Sequence, residues 1–377
     1  MLKKISCLMF AMLFTVLIIP NLQTKAYELE INSASVLLME FSTGTVLYSE
    51  NENEIRACAS ITKVMTLVLT MEALESGQLN LSDTLYASAH ASSMGGSDIW
   101  LEEGEAMTVN DLIKATVIMS ANDAAVVLAE AIAGSEEAFV DMMNDKAAEL
   151  GMTNTTFMNC NGLDEEGHLT TAYDIALMSR ELMKHELIYD YTTVYIDYLR
   201  DGETQLVNTN KLLNSYDGIT GLKTGTTSQA GSCIVATASR NEMDIIAVVL
   251  GADNMTDRMA DATKLLDYGF ANWEIVTPLY DLPSEIEVEN SMVETIEIYC
   301  TGDTSVLAQS TQSDNINCIV KMNDTIIAPL NEDDVLGYIY VQNQDEILKT
   351  IEIKAETSAQ EITFMKVVIY FFQNFKL

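Results

Sequence analysis

The sequence predicts an α+β protein: an antiparallel sheet flanked by helices with a helical subdomain, followed by a small all-β domain and a C-terminal amphipathic helix. Three observations predict it. Hydrophobic residues make up 48% of the 377-residue chain, enough to fill substantial cores. A long stretch of helical character from Ile61 to Ala133 gives way, from Gly218 to Leu250, to apolar runs of strand length. Beyond Pro278 and Pro283 the pattern changes again, to short alternating stretches.

In chain order, residues 1–26 come first: Lys3 and Lys4, an apolar run from Ile5 to Ile19, then Pro20 and a Thr24-Lys25-Ala26 ending. This reads as a secretory signal peptide. The apolar core of about fifteen residues is short of the roughly twenty that span a bilayer, so cleavage after Ala26 is expected, with an uncleaved anchor as the alternative. Ser35 to Phe41 and Thr45 to Ser49 flank Ser42-Thr43-Gly44 and read as a hairpin that opens a sheet. Ile61 to Leu74 is apolar almost all round, which predicts a helix inside the core. Leu112 to Ala133 is helical but interrupted near Ser120-Ala121-Asn122-Asp123, where Asn and Asp favour a fresh helix start. Strands are expected at Ile219 to Thr226, Ser232 to Ser239 and Asp244 to Leu250, covered by a helix from Asp257 to Phe270.

This places a catalytic domain at residues 27–275 and a β domain at 276–360, the latter carried by Ile296-Glu297-Ile298, Cys318 to Met322, Gly337 to Val341 and Ile351-Glu352-Ile353. Residues 361–377 put Phe364, Val367, Val368, Phe371 and Phe375 at helical spacing, with Lys366 and Gln373 on the other side. A segment this short does not span a bilayer but can lie along one, so it is expected to anchor the protein at a membrane surface. The alternative is a helix packed on its own β domain.

The chain carries 20 basic and 56 acidic residues, a net charge of −36, which excludes a nucleic-acid partner, because phosphate binding needs clustered Lys and Arg. Removal of the leader takes Cys7 and leaves Cys58, Cys160, Cys233, Cys300 and Cys318. None falls in a CxxC or Cys/His spacing for zinc, so no metal or cofactor is expected. Cys300 and Cys318 are candidates for a bridge in an exported protein, although an odd total argues against a full disulfide framework.

Three short motifs occur in order: Ser60-Ile61-Thr62-Lys63, Ser120-Ala121-Asn122 and Lys223-Thr224-Gly225. Each alone is weak, but together and in these settings they form the active-site set of a serine acyl-transfer enzyme. Ser60 and Lys63 stand three apart at the start of the buried helix and share a face. Serine is a poor nucleophile until a base takes its proton, and lysine serves as that base only with a depressed pKa, which burial and a second cation, Lys223, would supply. The helix N-terminus also aims backbone donors at developing negative charge. None of His90, His168 and His185 lies in a nucleophile-elbow pattern, which argues against a Ser-His-Asp triad. His168 reads as structural, and His90 and His185 as surface residues. A literal Ser313-Asp314-Asn315 lies in the β-rich tail and reads as a turn rather than as the second motif.

With Ala59 to Thr66, Gly95-Gly96-Ser97 before Leu101 to Glu105, Asn208 to Leu213 and Gly221 to Thr226, the chain resembles, over nearly its whole length, a D-alanyl-D-alanine carboxypeptidase of the low-molecular-mass penicillin-binding protein family. The resemblance implies the β-lactamase/transpeptidase-like fold for the first domain and fits the appended β domain and terminal helix. It implies that Ser60 attacks the carbonyl between the two D-alanines of a peptidoglycan stem peptide and that water then frees the enzyme. It further implies that Lys63 is the general base, that Ser120 relays a proton to the leaving amine and that Asn122 bonds the substrate peptide. Lys223, Thr224, Gly225 and Thr226 line the carboxylate site, and the N–H groups of Ser60 and Thr226 form the oxyanion hole. β-Lactams are the expected inhibitors through Ser60, and the expected location is the outer face of the cytoplasmic membrane. Two departures stand out: Cys58 and Cys160 occupy positions where that family commonly carries proline. Of the rivals, a serine β-lactamase lacks support because no Glu-x-x-Leu-Asn segment is found, and a non-catalytic penicillin sensor because no extra span or signalling domain is found.

Overall fold

The computed structural model of the chain describes residues 29–374; the expected leader at 1–26 and Phe375 lie outside the described residues. Strands β1 (Ser35–Glu40) and β2 (Val46–Glu50) form the expected hairpin. They join β3 (Ile219–Thr227), β4 (Gly231–Arg240) and β5 (Met243–Ala252) in a five-stranded antiparallel sheet of order β2-β1-β5-β4-β3. The sheet is covered on both faces, which is why β1 and β5 are apolar without alternation. Leu37, Met39, Ile246, Val248 and Leu250 belong to the main core, whereas Leu38 and Ile245 point at Gly269 of the helix α6 (Met255–Asn272).

On the main-core side, a 3₁₀ turn at Ala59–Thr62 leads into α1 (Lys63–Glu75). Every residue of α1 from Lys63 to Met71 is buried, so its all-round apolar character is that of a central helix. The helical middle continues with α2 (Val109–Lys114), a π-helical turn at Ala115–Met119, α3 (Asn122–Ala133), α4 (Glu136–Glu149) and α5 (Ala172–Met183). The expected break falls at Ser120, whose backbone is left-handed with φ of 66°. Asn122 does not cap α3: Ala121 holds the N-cap position, which leaves the Asn122 carboxamide free for another use.

The tail builds its own core from residues such as Ile298, Leu336, Ile339, Val341 and Ile353. Trp273–Val276 (β6) leaves α6 and pairs with Val306–Gln309 (β9). The second five-stranded sheet orders β7 (Glu285–Glu287), β8 (Thr295–Cys300), β12 (Glu346–Ala355), β11 (Val335–Asn343) and β10 (Ile316–Met322). Cys300 and Cys318 sit on β8 and β10 and are free thiols, as are the other three cysteines among the described residues. The terminal helix α7 (Phe364–Asn374) leaves large apolar side chains exposed: Phe364 is 83% and Phe372 69% exposed. No helix among the described residues is long and apolar enough to cross a membrane.

Candidate active site

The nucleophile candidate is displayed by a strained, tightly packed turn. Ala59 takes a left-handed φ of 51°, which costs a non-glycine residue on the order of 1 kcal/mol or more. Two contacts hold the turn in place. Strand β3 passes so close that a Cβ on Gly225 would come within 2.8 Å of the Cys58 carbonyl and 2.9 Å of the Ser60 nitrogen, which is why glycine follows Lys223 and Thr224. From the other side His168 accepts at Nδ1 from the Met158 N–H, at 3.1 Å, and so presents Nε2–H to Thr62 Oγ1 at 2.7 Å; Thr62 in turn donates to the Ala59 carbonyl at 2.9 Å. Burial lowers the His168 pKa to about 4, so the ring is neutral and structural, as expected.

Ser60 and Lys63 meet as their spacing predicts, with Lys63 Nζ 3.1 Å from Ser60 Oγ. Lys63 is wholly buried and also donates to Asn122 Oδ1 at 2.5 Å and to the Asn161 carbonyl at 2.6 Å. Burial lowers its pKa to about 7, while Cys160, Asp98 and Asp123 pull it back upward. Burial, the first of the two expected causes, is what depresses Lys63, and the repulsion between the two lysines is felt at Lys223. Lys223, 1% exposed, is itself held well below the usual lysine range, first by burial and then by repulsion from Lys63 and Arg258.

Asn122 fixes the second motif in the site: its Nδ2 donates to the Gly95 carbonyl and its own N–H to the Ser97 carbonyl, each at 2.6 Å. Asp123 accepts from the N–H groups of Ile99 and Leu101, so the Gly95-Gly96-Ser97 segment is strapped to the start of α3. Ser120 Oγ is buried without a hydrogen-bond partner among the described residues. An unpaired buried hydroxyl is costly, and here it faces the cleft in which a ligand would meet it.

That cleft, of about 290 Å³, is lined by Ser60, Ser97, Ser120, Thr224, Gly225 and Thr226 and also by Arg258. Thr224 donates to Thr209 Oγ1 at 2.7 Å. Arg258, in the first turn of α6, donates through Nη1 to the Gly225 carbonyl at 3.0 Å and to Thr226 Oγ1 at 2.9 Å. Sequence reasoning missed Arg258 and Asn161. A cation in the first turn of a helix opposes the macrodipole and was the available signal for Arg258; Asn161 acts through its carbonyl, which any residue carries. His185, expected at the surface, is instead buried, with Nδ1 2.6 Å from Glu75 Oε1.

The two departures from proline have local reasons. Cys58 takes φ of −122°, outside the range that a proline ring permits, and is a small buried residue whose pKa is pushed up to about 12 by burial. Cys160 donates its N–H to Glu136 Oε1 at 3.0 Å, a bond that proline cannot make, and its carbonyl accepts from Thr66. The loop therefore still delivers the Asn161 carbonyl to Lys63. Gly162, at φ of +86°, closes it: a Cβ there would lie 2.0 Å from the Ala59 carbonyl oxygen. Gly162→Ala is expected to destabilise the protein by about 3 kcal/mol or more through strain and overpacking; an unchanged thermal unfolding midpoint would refute this contact.

A profile of the D-alanyl-D-alanine carboxypeptidase family matches residues 22–254, and one of the penicillin-binding protein 5 C-terminal domain matches residues 280–361. The chain is 42% identical to the D-alanyl-D-alanine carboxypeptidase DacF of Bacillus subtilis over 352 residues, covering 91% of this chain and 90% of that one. Among solved structures it is similar to penicillin binding protein 5 from Haemophilus influenzae, with a TM-score of 0.74 at 26% identity over 89% of this chain and 99% of that one. It is also similar to penicillin-binding protein D2 from Listeria monocytogenes in its ampicillin-bound form, with a TM-score of 0.59 at 32% identity over 64% of this chain and 99% of that one.

Proposed function

The chain belongs to the D-alanyl-D-alanine carboxypeptidase family and is a serine carboxypeptidase of peptidoglycan peptides, and from that premise we propose how its residues divide the work. The observation that carries the reading is Ser60 Oγ at 3.1 Å from a lysine whose pKa burial lowers to about 7. Ser60 Oγ attacks the carbonyl carbon between the two D-alanines and passes its proton to neutral Lys63. The oxyanion is held by the N–H groups of Ser60 and Thr226, on the turn and strand that Gly225 allows to touch. The C–N bond then breaks, and the departing amine takes the proton from Lys63 through Ser120, whose hydroxyl is otherwise unpartnered. Water attacks the resulting ester, its proton passes to Lys63, and the acyl C–O bond breaks as Ser60 recovers its hydrogen.

Binding falls to the other members. Asn122 uses one Oδ1 lone pair on Lys63, and we assign its remaining hydrogen-bonding capacity to the substrate peptide. Thr224 and Thr226 receive the terminal carboxylate at the rim of the cleft, with Gly225 as the spacer between them. The guanidinium of Arg258 lines the cleft and draws that anion into a chain of net charge −36, and Lys223, buried next to Thr224, adds to that field when protonated. β-Lactams acylate the same Ser60. The reading is tested with diacetyl-Lys-D-Ala-D-Ala: penicillin-sensitive D-alanine release supports it, and labelling by penicillin without release would move the assignment to a sensor.

The domain division at residues 27–275, 276–360 and 361–377 frames the location we infer: export, cleavage after Ala26 and attachment to the outer face of the membrane through α7, whose Phe364 and Phe372 stand exposed. Deleting residues 364–377 is expected to release the protein from phosphatidylglycerol-containing vesicles without loss of peptide cleavage. Continued sedimentation with the vesicles would place the anchor elsewhere.

A further inference from the structure

A second cluster of reactive side chains lies where α1 ends beside α5. Glu72 of α1, Glu181 of α5 and His185 two residues beyond α5 each offer a ligand atom, and all three atoms lie within 4.8 Å of one another. In a tetrahedral shell with bonds of about 2.0 Å the corresponding spacing is about 3.3 Å, so side-chain rotation alone closes the set. Twelve residues of helix, about 18 Å, separate Glu72 from Ser60, so the cluster plays no part in the acyl-transfer site.

The imidazole argues for a ligand rather than for an ion pair alone. His185 is 7% exposed; its Nδ1 is 2.6 Å from Glu75 Oε1, while its Nε2 is buried with no partner among the described residues. The Glu75 carboxylate on Nδ1 would leave Nε2 of the neutral ring as the free acceptor, which is the arrangement by which proteins orient a metal-binding histidine. An imidazole with two carboxylates suits zinc better than calcium or magnesium, which take oxygen ligands. Lysines now neutralise the carboxylates: Lys146 lies 2.9 Å from Glu72 Oε1, and Lys184 bonds Glu181. Both can yield. Lys146 keeps Glu149, and Lys184, half exposed, can return to water.

We propose that Glu72, Glu181 and His185, with Glu75 as the outer partner of the histidine, bind one Zn²⁺ ion that clips α1 to α5. The carboxylates supply two negative charges to match the ion, and a water completes four-coordination.

The test titrates Zn²⁺ into the purified full chain carrying Cys300→Ser and Cys318→Ser, which removes the more accessible thiols. A chelator competition reports affinity, and ring ¹⁵N signals report the three histidines. One equivalent should bind, shift the His185 signals alone, and raise the unfolding midpoint by about 5 °C at a hundredfold excess over Kd. His185→Gln and, separately, Glu181→Gln should weaken binding at least about a hundredfold, and Glu75→Gln about tenfold. If His185→Gln fails to fold, Glu181→Gln decides, with D-alanine release as its check of folding. Absence of binding, affinity unchanged in Glu181→Gln, shifts at His90 instead, or equal binding of Ca²⁺ would each overturn the site.

Discussion

Ser60→Ala is expected to abolish both D-alanine release and covalent labelling by penicillin, with kcat/KM falling by about 10⁴-fold or more. The cleft offers three serine hydroxyls, those of Ser60, Ser97 and Ser120, so exposure alone does not choose among them. Activation does. Only Ser60 Oγ is paired with the Lys63 amine, at 3.1 Å, whereas Ser120 Oγ has no partner among the described residues. Ser60 also rides on the turn that His168, Thr62 and Gly225 pin against the strand supplying Thr226. The alanine variant keeps that backbone, so loss of labelling would report the missing hydroxyl and not a collapsed cleft. Ser97→Ala is expected to remain labelled. Label persisting on Ser60→Ala would transfer the nucleophile to Ser120 or Ser97 and remove the basis of the proposed mechanism.

What the sequence made legible follows from how local each signal is. The strands β1 and β5 announce themselves because both faces are covered, which makes Ser35 to Phe41 and Asp244 to Leu250 nearly continuous apolar runs. The helix carrying Lys63 does so because it is buried on every side, and the break at Ser120 because polar residues interrupt a helical stretch. Three motifs, each with its chemistry in its own side chains, were readable in the same way. What stayed hidden depends on contacts between distant parts of the chain. Lys63 and the Asn161 carbonyl are 98 residues apart, and the interaction uses backbone that carries no residue signature. Arg258 opposes the dipole of its own helix, but the use of that charge emerges only when α6 docks it beside Gly225 and Thr226. His185 sits in a polar stretch and reads as exposed, yet the end of α1, 110 residues earlier, supplies the Glu75 that allows it to be buried. Of the two causes expected for the Lys63 shift, burial was readable from the all-round apolar helix and is the one that acts, whereas how the repulsion between Lys63 and Lys223 divides between them depends on their packing.

Lys63→Ala is expected to cost between about 10² and 10⁴ in kcat/KM, the range for removing a positioned general base. The reason lies in the environment. A lysine in water holds its proton far above neutrality, but here the ammonium is stripped of solvent, and its pKa falls to about 7. The neutral amine is the form that accepts the Ser60 proton. The wild-type rate should therefore rise with pH, about tenfold per unit well below 7, and level off above it as Lys63 loses its charge. Lys63→Arg separates this role from that of a fixed positive charge, because a guanidinium does not deprotonate in this range. Activity retained in Lys63→Arg, or a pH profile flat between 5.5 and 8.5, would show that Lys63 acts as a charge and not as a base. A further arm tests the cause of the shift. Asp98 is among the groups whose negative field holds the proton on Lys63, so Asp98→Asn should move the rising limb to lower pH and keep the plateau, whereas loss of Lys63 itself should remove the limb.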